Sequence, residues 1–555
     1  MLADDLKKLI QGDVMSDEDT LSIYSTDYSI FKVKPKVVVF PKNKEDVEKL
    51  VAYATEKKKN GEEISLTGRS AGTDMSGGPL NDSVIVEFTK YFNHIREIKE
   101  PSFDTAHGND GYAVVEPGVY FRDFEKELDK KGLLYPSYPA SKDLCAMGGM
   151  VNNNSGGEKT LEYGKTEKYV EEITIVLADG KEHVLRSLPE GELREKLKEE
   201  SFEGDIYRNL FKLIEDNYDA IQAARPNVSK NSAGYFLWNI WDKKTFDITK
   251  LIVGSQGTLG LLTSAKVKLL KKKKYSGLLA VFSKTLEPVP GLVEDILRFN
   301  PEGIESYDDR TMKLAVRFLP SLLKLMKGSV IKLFFQFLPE FWMMIRKGAP
   351  RIVLLVSFAS DSETELRNNM DNALEEMRKH PVVVRVMRRE EEAEKYWAIR
   401  RQSFNLLHRH VKGMYAAPFI DDVVVDPKYM PEFLQEVNAI LDQHKDKLVY
   451  TIAGHPGNGN FHIIPLVRLD DEETRRLIPE VTKKVYELVF KYGGSMTAEH
   501  NDGLIRTPYL EKMYGAKIVS LFEEVKRIFD PVGIFNPRKK VGGTIEYAKE
   551  HMRRE

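Results

Sequence analysis

Short apolar runs separated by charged, helix-spaced stretches organise the first half of the chain. Val37 to Phe40 is one such run, followed by a Pro-Lys-Asn turn and then apolar positions at Val47, Leu50, Val51 and Ala54, the spacing of one helix face. Ile64 to Thr67, Val84 to Phe88, Tyr112 to Val115, Ile173 to Leu177 and Leu251 to Val253 read as further strands, with helical stretches and Gly-rich turns between them. This pattern predicts a mixed α+β unit reaching to about Leu270. The run LKKKKY at 270 to 275 is the sharpest change of character. Beyond it, strands at Gly277 to Phe282, Arg351 to Phe358, Val382 to Met387 and Val449 to Ile452 alternate with charged helices such as Asp361 to Lys379. That alternation predicts a second domain, an antiparallel sheet covered by helices, over 276–480, preceded by 1–275 and followed by 481–555.

Composition narrows what such a chain does. At 555 residues it exceeds one ordinary hydrophobic core. Its 83 basic residues nearly balance 85 acidic ones, so net charge gives no global case for nucleic acid. The single cysteine, Cys145, makes no intramolecular disulfide and cannot build an iron–sulfur cluster, so any redox chemistry needs another carrier. The first thirty residues are acidic and broken by Gly and Asp, unlike a signal peptide, and a cytoplasmic location is the expectation.

One segment stands apart. Phe318 to Ile345 holds 18 Phe, Leu, Met, Val, Ile or Trp among 28 residues, and Lys313 to Arg351 carries eight basic residues against one acidic, Glu340. Lys324, Lys327, Lys332, Pro320 and Pro339 interrupt every apolar run well short of the roughly 20 residues that cross a bilayer. Two readings remain open: a buried helical pair within the second domain, or an amphipathic element at 313–351 touching an anionic membrane surface peripherally.

Three glycine-rich loops carry candidate chemistry. Arg69-Ser70-Ala71-Gly72-Thr73-Asp74-Met75-Ser76-Gly77-Gly78 brings backbone N–H groups, hydroxyls and a guanidinium close together, as a pyrophosphate site requires, although a plain strand-connecting loop has the same composition. It is neither G-x-G-x-x-G nor a Walker loop. Ser141 to Gly149, continuing to Gly157, and Gly254 to Gly260 are the others, and three loops each following a strand would surround an extended cofactor. Further on, His455 and His462 flank a Gly/Asn turn that would bring their imidazoles together, and Glu499 would complete an N/N/O ligand set suited to Zn²⁺, Mn²⁺ or Fe²⁺. The plain alternative is a pair of ordinary hydrogen-bonding histidines. Arg400, in Tyr396-Trp397-Ala398-Ile399-Arg400-Arg401, offers a fork for a carboxylate, or is a solvated arginine among the glutamates before it.

Taken in order, Pro41-Lys42-Asn43, the loop from Arg69 to Gly78, Pro136 to Gly157, Tyr163-Gly164, Ala178-Asp179-Gly180, Asn231 to Tyr235 and Gly254 to Gly260 resemble the FAD-binding domain of vanillyl-alcohol-oxidase type flavoproteins. The C-terminal half resembles the matching FAD-linked oxidase domain of glycolate oxidase flavin subunits, D-lactate dehydrogenases and D-2-hydroxyglutarate dehydrogenases. The resemblance implies an α+β fold with two FAD-clasping subdomains over 1–275, an antiparallel-sheet cap over 276–480, and a segment 481–555 returning to the FAD domain through Phe529 to Lys539. It implies FAD contacts at Arg69, Ser70, Ala71, Gly72, Thr73, Ser76, Gly77, Ser141, Cys145, Ala146, Gly149, Asn152, Gly157, Gln256, Gly257 and Thr258. Ser70 and Ala71 stand where glycines are common, Gln256 where an acidic residue is usual, and Arg538 where a glycine is. Relatives that attach FAD covalently use a loop histidine; Gly68 to Gly78 has none, so non-covalent FAD is expected.

The same resemblance implies that His455, His462 and Glu499 bind a divalent metal, zinc or manganese, with His500 as the base and Arg400 facing the flavin, although Pro456, Asn458 and Asn501 depart from the usual residues. The implied reaction is oxidation of a small D-2-hydroxy acid to the 2-oxo acid, with Arg400 holding the carboxylate, His500 taking the hydroxyl proton and hydride passing to FAD. The electron acceptor is left open between a quinone and a soluble carrier. Two rivals predict otherwise: a transferase resembling alkyl-dihydroxyacetone-phosphate synthase, whose histidine-rich stretch has here only His455, His462, His500 and the outlying His408 and His410, and a non-catalytic flavin subunit of an electron-transfer complex.

Overall fold

The computed structural model describes residues 2–101, 111–312, 350–389, 392–397, 399–400 and 413–554. The membrane-contact reading falls on 313–351, of which 313–349 lie outside the described residues, as do Arg401, His408 and His410. Among the described residues, no helix is long and apolar enough to cross a membrane.

The N-terminal half builds two sheets. In the first, the strands Val37–Phe40, Val84–Glu87 and Leu66–Arg69 run parallel, with Asp13–Met15 antiparallel on the outer edge. Val37–Phe40 and Val84–Glu87 are buried at every position, which is why they read as unbroken apolar runs. Helix Lys44–Lys59, capped by the Asn43 side chain, seals one face with the expected Val47, Leu50, Val51 and Ala54. The second sheet is antiparallel, in the order Thr245–Asp247, Glu182–Pro189, Val170–Val176, Leu261–Lys268, Tyr112–Val115, Ile95–Lys99.

Leu251 to Val253 is not a strand. Thr249–Ile252 forms a helical turn whose start is tied by Asp247, which accepts from the Thr249 backbone N–H at 3.1 Å. A three-residue apolar run has too little length to separate period 2 from period 3.6, and the loop Gly254 to Gly260 consequently follows a helix, not a strand.

The cap is an eight-stranded antiparallel sheet beginning with Tyr275–Ser283, directly after the lysine run. Its order is Val382–Met387, Tyr275–Ser283, Ile352–Ser360, Gly303–Asp308, Leu448–His455, Asn460–Val467, Tyr415–Ala416, with Val423–Val424 also paired to Asn460–Val467. One face packs on the helices Val289–Leu297, Glu363–Met377, Met430–Asp442 and Glu472–Lys491 through side chains such as Val281, Leu354, Phe433, Phe461, Ile463 and Val485. The opposite face, including Tyr307, Leu355 and Ala453, packs on Tyr396 and Ile399 and looks toward the N-terminal half.

The chain then returns. Ile534 O accepts from Leu66 N–H at 2.7 Å, the Asn536 N–H donates to Leu66 O at 2.9 Å, and the Asn536 side chain donates to Gly78 O and Gln256 O at 2.9 and 2.6 Å. One asparagine thus stitches two glycine loops and the end of the chain together.

Candidate active site

A cavity of about 660 Å³ lies where both N-terminal sheets meet the inner face of the cap, within the ~300–1,000 Å³ usual for cofactor sites. Arg69, Ser70, Ala71, Gly72, Thr73, Ser141, Cys145, Ala146, Gly149, Asn152, Gln256 and Gly257 line it. Ser76, Gly77, Gly157 and Thr258 stand behind that wall. Ser76 Oγ donates to Asp74 at 2.7 Å, Gly157 N–H to Thr160 Oγ1 at 2.7 Å, Thr258 Oγ1 to Ser255 O at 2.7 Å, and a Cβ at Gly77 would meet the Phe31 ring at 2.9 Å. Arg69 donates to Tyr24 O and Thr26 O at 3.2 and 2.8 Å, which braces the loop from its rear. Burial pushes the Cys145 thiol up to about 12, so it lines the wall as an unreactive apolar group.

The wall suits a pyrophosphate. A Cβ at Gly149 would meet nothing within 4 Å, and Gly257, at φ +66°, would meet only Gly260 O at 3.9 Å, so bare backbone faces the cavity at both points. Gln256 spends both ends of its amide on the surrounding loops: Nε2 donates to Asp74 and Ser76 at 3.4 and 3.3 Å, and Oε1 accepts from Gly503 N–H at 2.8 Å. A carboxylate there would repel Asp74.

At the cap end, three donor atoms converge. His455 Nε2 lies 3.3 Å from Glu499 Oε1, His462 Nε2 lies 3.2 Å from His455 Nε2, and His462 Nε2 lies 3.4 Å from Glu499 Oε1. Ligands about 2.1 Å from one ion sit about 3.0 Å apart at right angles and about 3.4 Å apart at tetrahedral angles, so this triangle fits a divalent cation. The strands explain it: His455 ends Leu448–His455, the turn Pro456–Asn458 reverses the chain, and His462 lies on the paired strand Asn460–Val467. Both imidazoles are held from behind, His455 Nδ1 by Glu305 and His462 Nδ1 by Asp421 at 3.1 Å, which turns each Nε2 inward, where it would offer its lone pair to a cation that displaced the proton.

His500 stacks on His462 with ring centroids 5.2 Å apart, and its Nδ1 lies 2.9 Å from Asp421 Oδ2. Asp422 groups with His462, Glu499 and His500, their possible ligand atoms within 4.8 Å of one another, but its Oδ2 already accepts from Thr497 Oγ1 at 2.6 Å and from the N–H groups of Ala498, Glu499 and His500 at 2.9, 2.9 and 2.7 Å. It clamps the loop that carries Glu499 and His500. Fully buried Lys230 lies 3.2 Å from Glu499 Oε2, and Arg400 lines the cavity with its Nε 3.2 Å from Glu305 Oε2.

The surroundings of each group set what charge the cluster demands. Burial lowers the pKa of His462, yet Asp421 and Glu499 hold it up at about 10. Burial likewise opposes, and Asp422 and Asp421 outweigh it, in raising His500. Burial raises Glu305, but His455 and Arg400 bring it down to about 2; Glu499 is drawn well below its ordinary value by Lys230 and His455 against the same burial. The carboxylates call for positive charge between the imidazoles, as a proton or as a metal cation.

Glu305, Asp421, Asp422 and Lys230 escaped the sequence reading. Asp421-Asp422 inside the apolar run Phe419 to Val425 was the available signal, because adjacent acids amid buried residues require partners. Lys230 and Glu305 carry no local signal.

Comparison with known proteins identifies the family and the fold. The FAD binding domain family matches residues 35–186, and the C-terminal domain of FAD linked oxidases matches 279–540. D-2-hydroxyglutarate dehydrogenase of Haemophilus influenzae is 25% identical over 97% of this chain and 51% of its own length, so the chain spans about half of that relative. Glycolate oxidase subunit GlcD of Bacillus subtilis is 26% identical over 93% of this chain and 91% of its own. Among solved structures, alkyldihydroxyacetonephosphate synthase superposes with a TM-score of 0.66 at 16% identity, covering 97% of this chain and 84% of that one. Substrate-bound p-cresol methylhydroxylase does so with 0.65 at 17%, covering 98% and 96%. These structures share the fold, which is the vanillyl-alcohol-oxidase type that the motif order implied.

Proposed function

Because this chain belongs to the FAD-linked oxidases, we propose that it is an FAD-dependent dehydrogenase of a small D-2-hydroxy acid, working with a divalent cation, zinc or manganese, at His455, His462 and Glu499. When bound, FAD would supply the two-electron acceptor and the cation Lewis acidity at the 2-hydroxyl. The rest is the work of this chain's own residues. Arg400, oriented by Glu305, pairs with the substrate carboxylate. His500, its Nδ1 beside Asp421, accepts the hydroxyl proton at Nε2 as the C2 hydride departs, leaving a 2-oxo acid. The walls built from Arg69 to Thr73, Ser141 to Asn152 and Gln256 to Gly257 hold the FAD. A quinone or a soluble carrier reoxidises it.

The observation that carries this reading is the triangle of carboxylate-backed donors beside Arg400 and His500 on the wall of a glycine-lined cavity. Anaerobic mixing with a panel of D-2-hydroxy acids tests it: at least one must bleach the flavin. A synthase of the alkyl-dihydroxyacetone-phosphate kind, which shares the fold, would give turnover with no net flavin reduction, and that result would displace the dehydrogenase reading.

A further inference from the structure

We infer that the substrate is a short 2-hydroxy monocarboxylic acid with an aliphatic tail, rather than a hydroxy dicarboxylic acid; this inference rests on the dehydrogenase reading. Antiparallel register sets Ala453 opposite His462 and Thr451 opposite Ile464. Directly opposed residues share one face of a sheet, so Thr451, Ala453 and Ile464 continue the face that carries the cation-ligating His462, and all four line the cavity.

A substrate held by its 2-hydroxyl beside His462 therefore lays its tail along a strip with one hydroxyl and no ionisable group. The carboxylates lining the same cavity, Glu158, Asp421 and Glu499, offer a second carboxylate no positive charge. Arg400, the guanidinium at this end among the described lining residues, is assigned to the C1 carboxylate. The other lining cations among them belong to the N-terminal wall, where Arg69 donates to the Tyr24 and Thr26 carbonyls and Lys142 donates to Glu125 at 2.8 Å. A second carboxylate would lose its water against Ala453 and Ile464, with no cation among the described residues of that strip to replace it.

The test uses the FAD- and metal-loaded enzyme and follows anaerobic flavin reduction by D-lactate, D-2-hydroxybutyrate, D-malate and D-2-hydroxyglutarate. The two monocarboxylates should exceed the two dicarboxylates in kcat/KM by at least about tenfold. Thr451→Arg, and separately Ile464→Lys, each checked for wild-type FAD content and melting temperature, should narrow that ratio by a similar factor. Equal or better reduction by D-2-hydroxyglutarate overturns the inference while leaving the dehydrogenase reading intact. An unchanged ratio in both variants overturns the assignment of this strip to the substrate tail. If no acid in the panel reduces the flavin, the dehydrogenase reading fails and this inference falls with it.

Discussion

Glu305 accepts the Nδ1 hydrogen of His455, and both side chains are buried. Its other oxygen lies 3.2 Å from Arg400 Nε, so a single carboxylate orients both the proposed metal donor and the proposed partner of the substrate carboxylate. Glu305→Ala should lower metal content and reduce kcat/KM about 10- to 100-fold, with Glu305→Gln intermediate. Elemental analysis alongside stopped-flow reduction checks this; full metal content with unchanged kinetics in Glu305→Ala would remove Glu305 from the site.

Chelation should abolish activity and spare the flavin, because the donor triangle lies on the cap side while the FAD cradle is built from the N-terminal loops. Dialysis against a strong chelator, followed by visible spectroscopy and re-addition of zinc or manganese, measures both. Complete activity in metal-free protein would refute the assignment of His455, His462 and Glu499.

Acid precipitation should release FAD into the supernatant, since no histidine occurs between Gly68 and Gly78 and burial keeps the Cys145 thiol protonated. Yellow colour retained in the washed pellet would show a covalent link and contradict this.

Stability should fall across a defined alkaline window. His183 bridges Asp179 at 3.1 Å and Glu203 at 3.0 Å, and these carboxylates push its pKa up to about 9 against the opposing effect of burial. Below about pH 6.5 folded and unfolded chains both hold the proton, and the contribution is complete. Between that pH and about 9 only the folded chain keeps it, so stability drains as pH rises through the window. Urea unfolding should show His183→Gln losing less stability than wild type over this range, by on the order of 2 kcal/mol. Parallel pH profiles would sink the idea.

The legible parts of this molecule are those whose cause is local. Val37–Phe40 and helix Lys44–Lys59 could be read because burial on both faces, or on one face every 3.6 residues, leaves a mark in consecutive side chains. The same locality explains the misreading of Thr249–Ile252, where the marked stretch is too short. The meeting of His455, His462 and Glu499 was legible because glycine turns and histidines sit beside one another in the chain. Glu305 lies 150 residues from His455, and Lys230 lies 269 from Glu499. Such pairs are set by strand order in the cap and by the way it docks, and one sequence carries no trace of them.

The Asp422 clamp on the loop at 497–500 bears on how the protein matures. That loop gains its partners only when the cap supplies Asp422 and His455, and when Lys230 arrives from the N-terminal half. Contacts so distant along the chain form late, after each half has collapsed around its own core. During refolding, secondary structure should therefore recover first and this cluster last, and the proposed divalent cation, if it binds only the finished site, should act as a latch on the docked state whose strength depends on its free concentration.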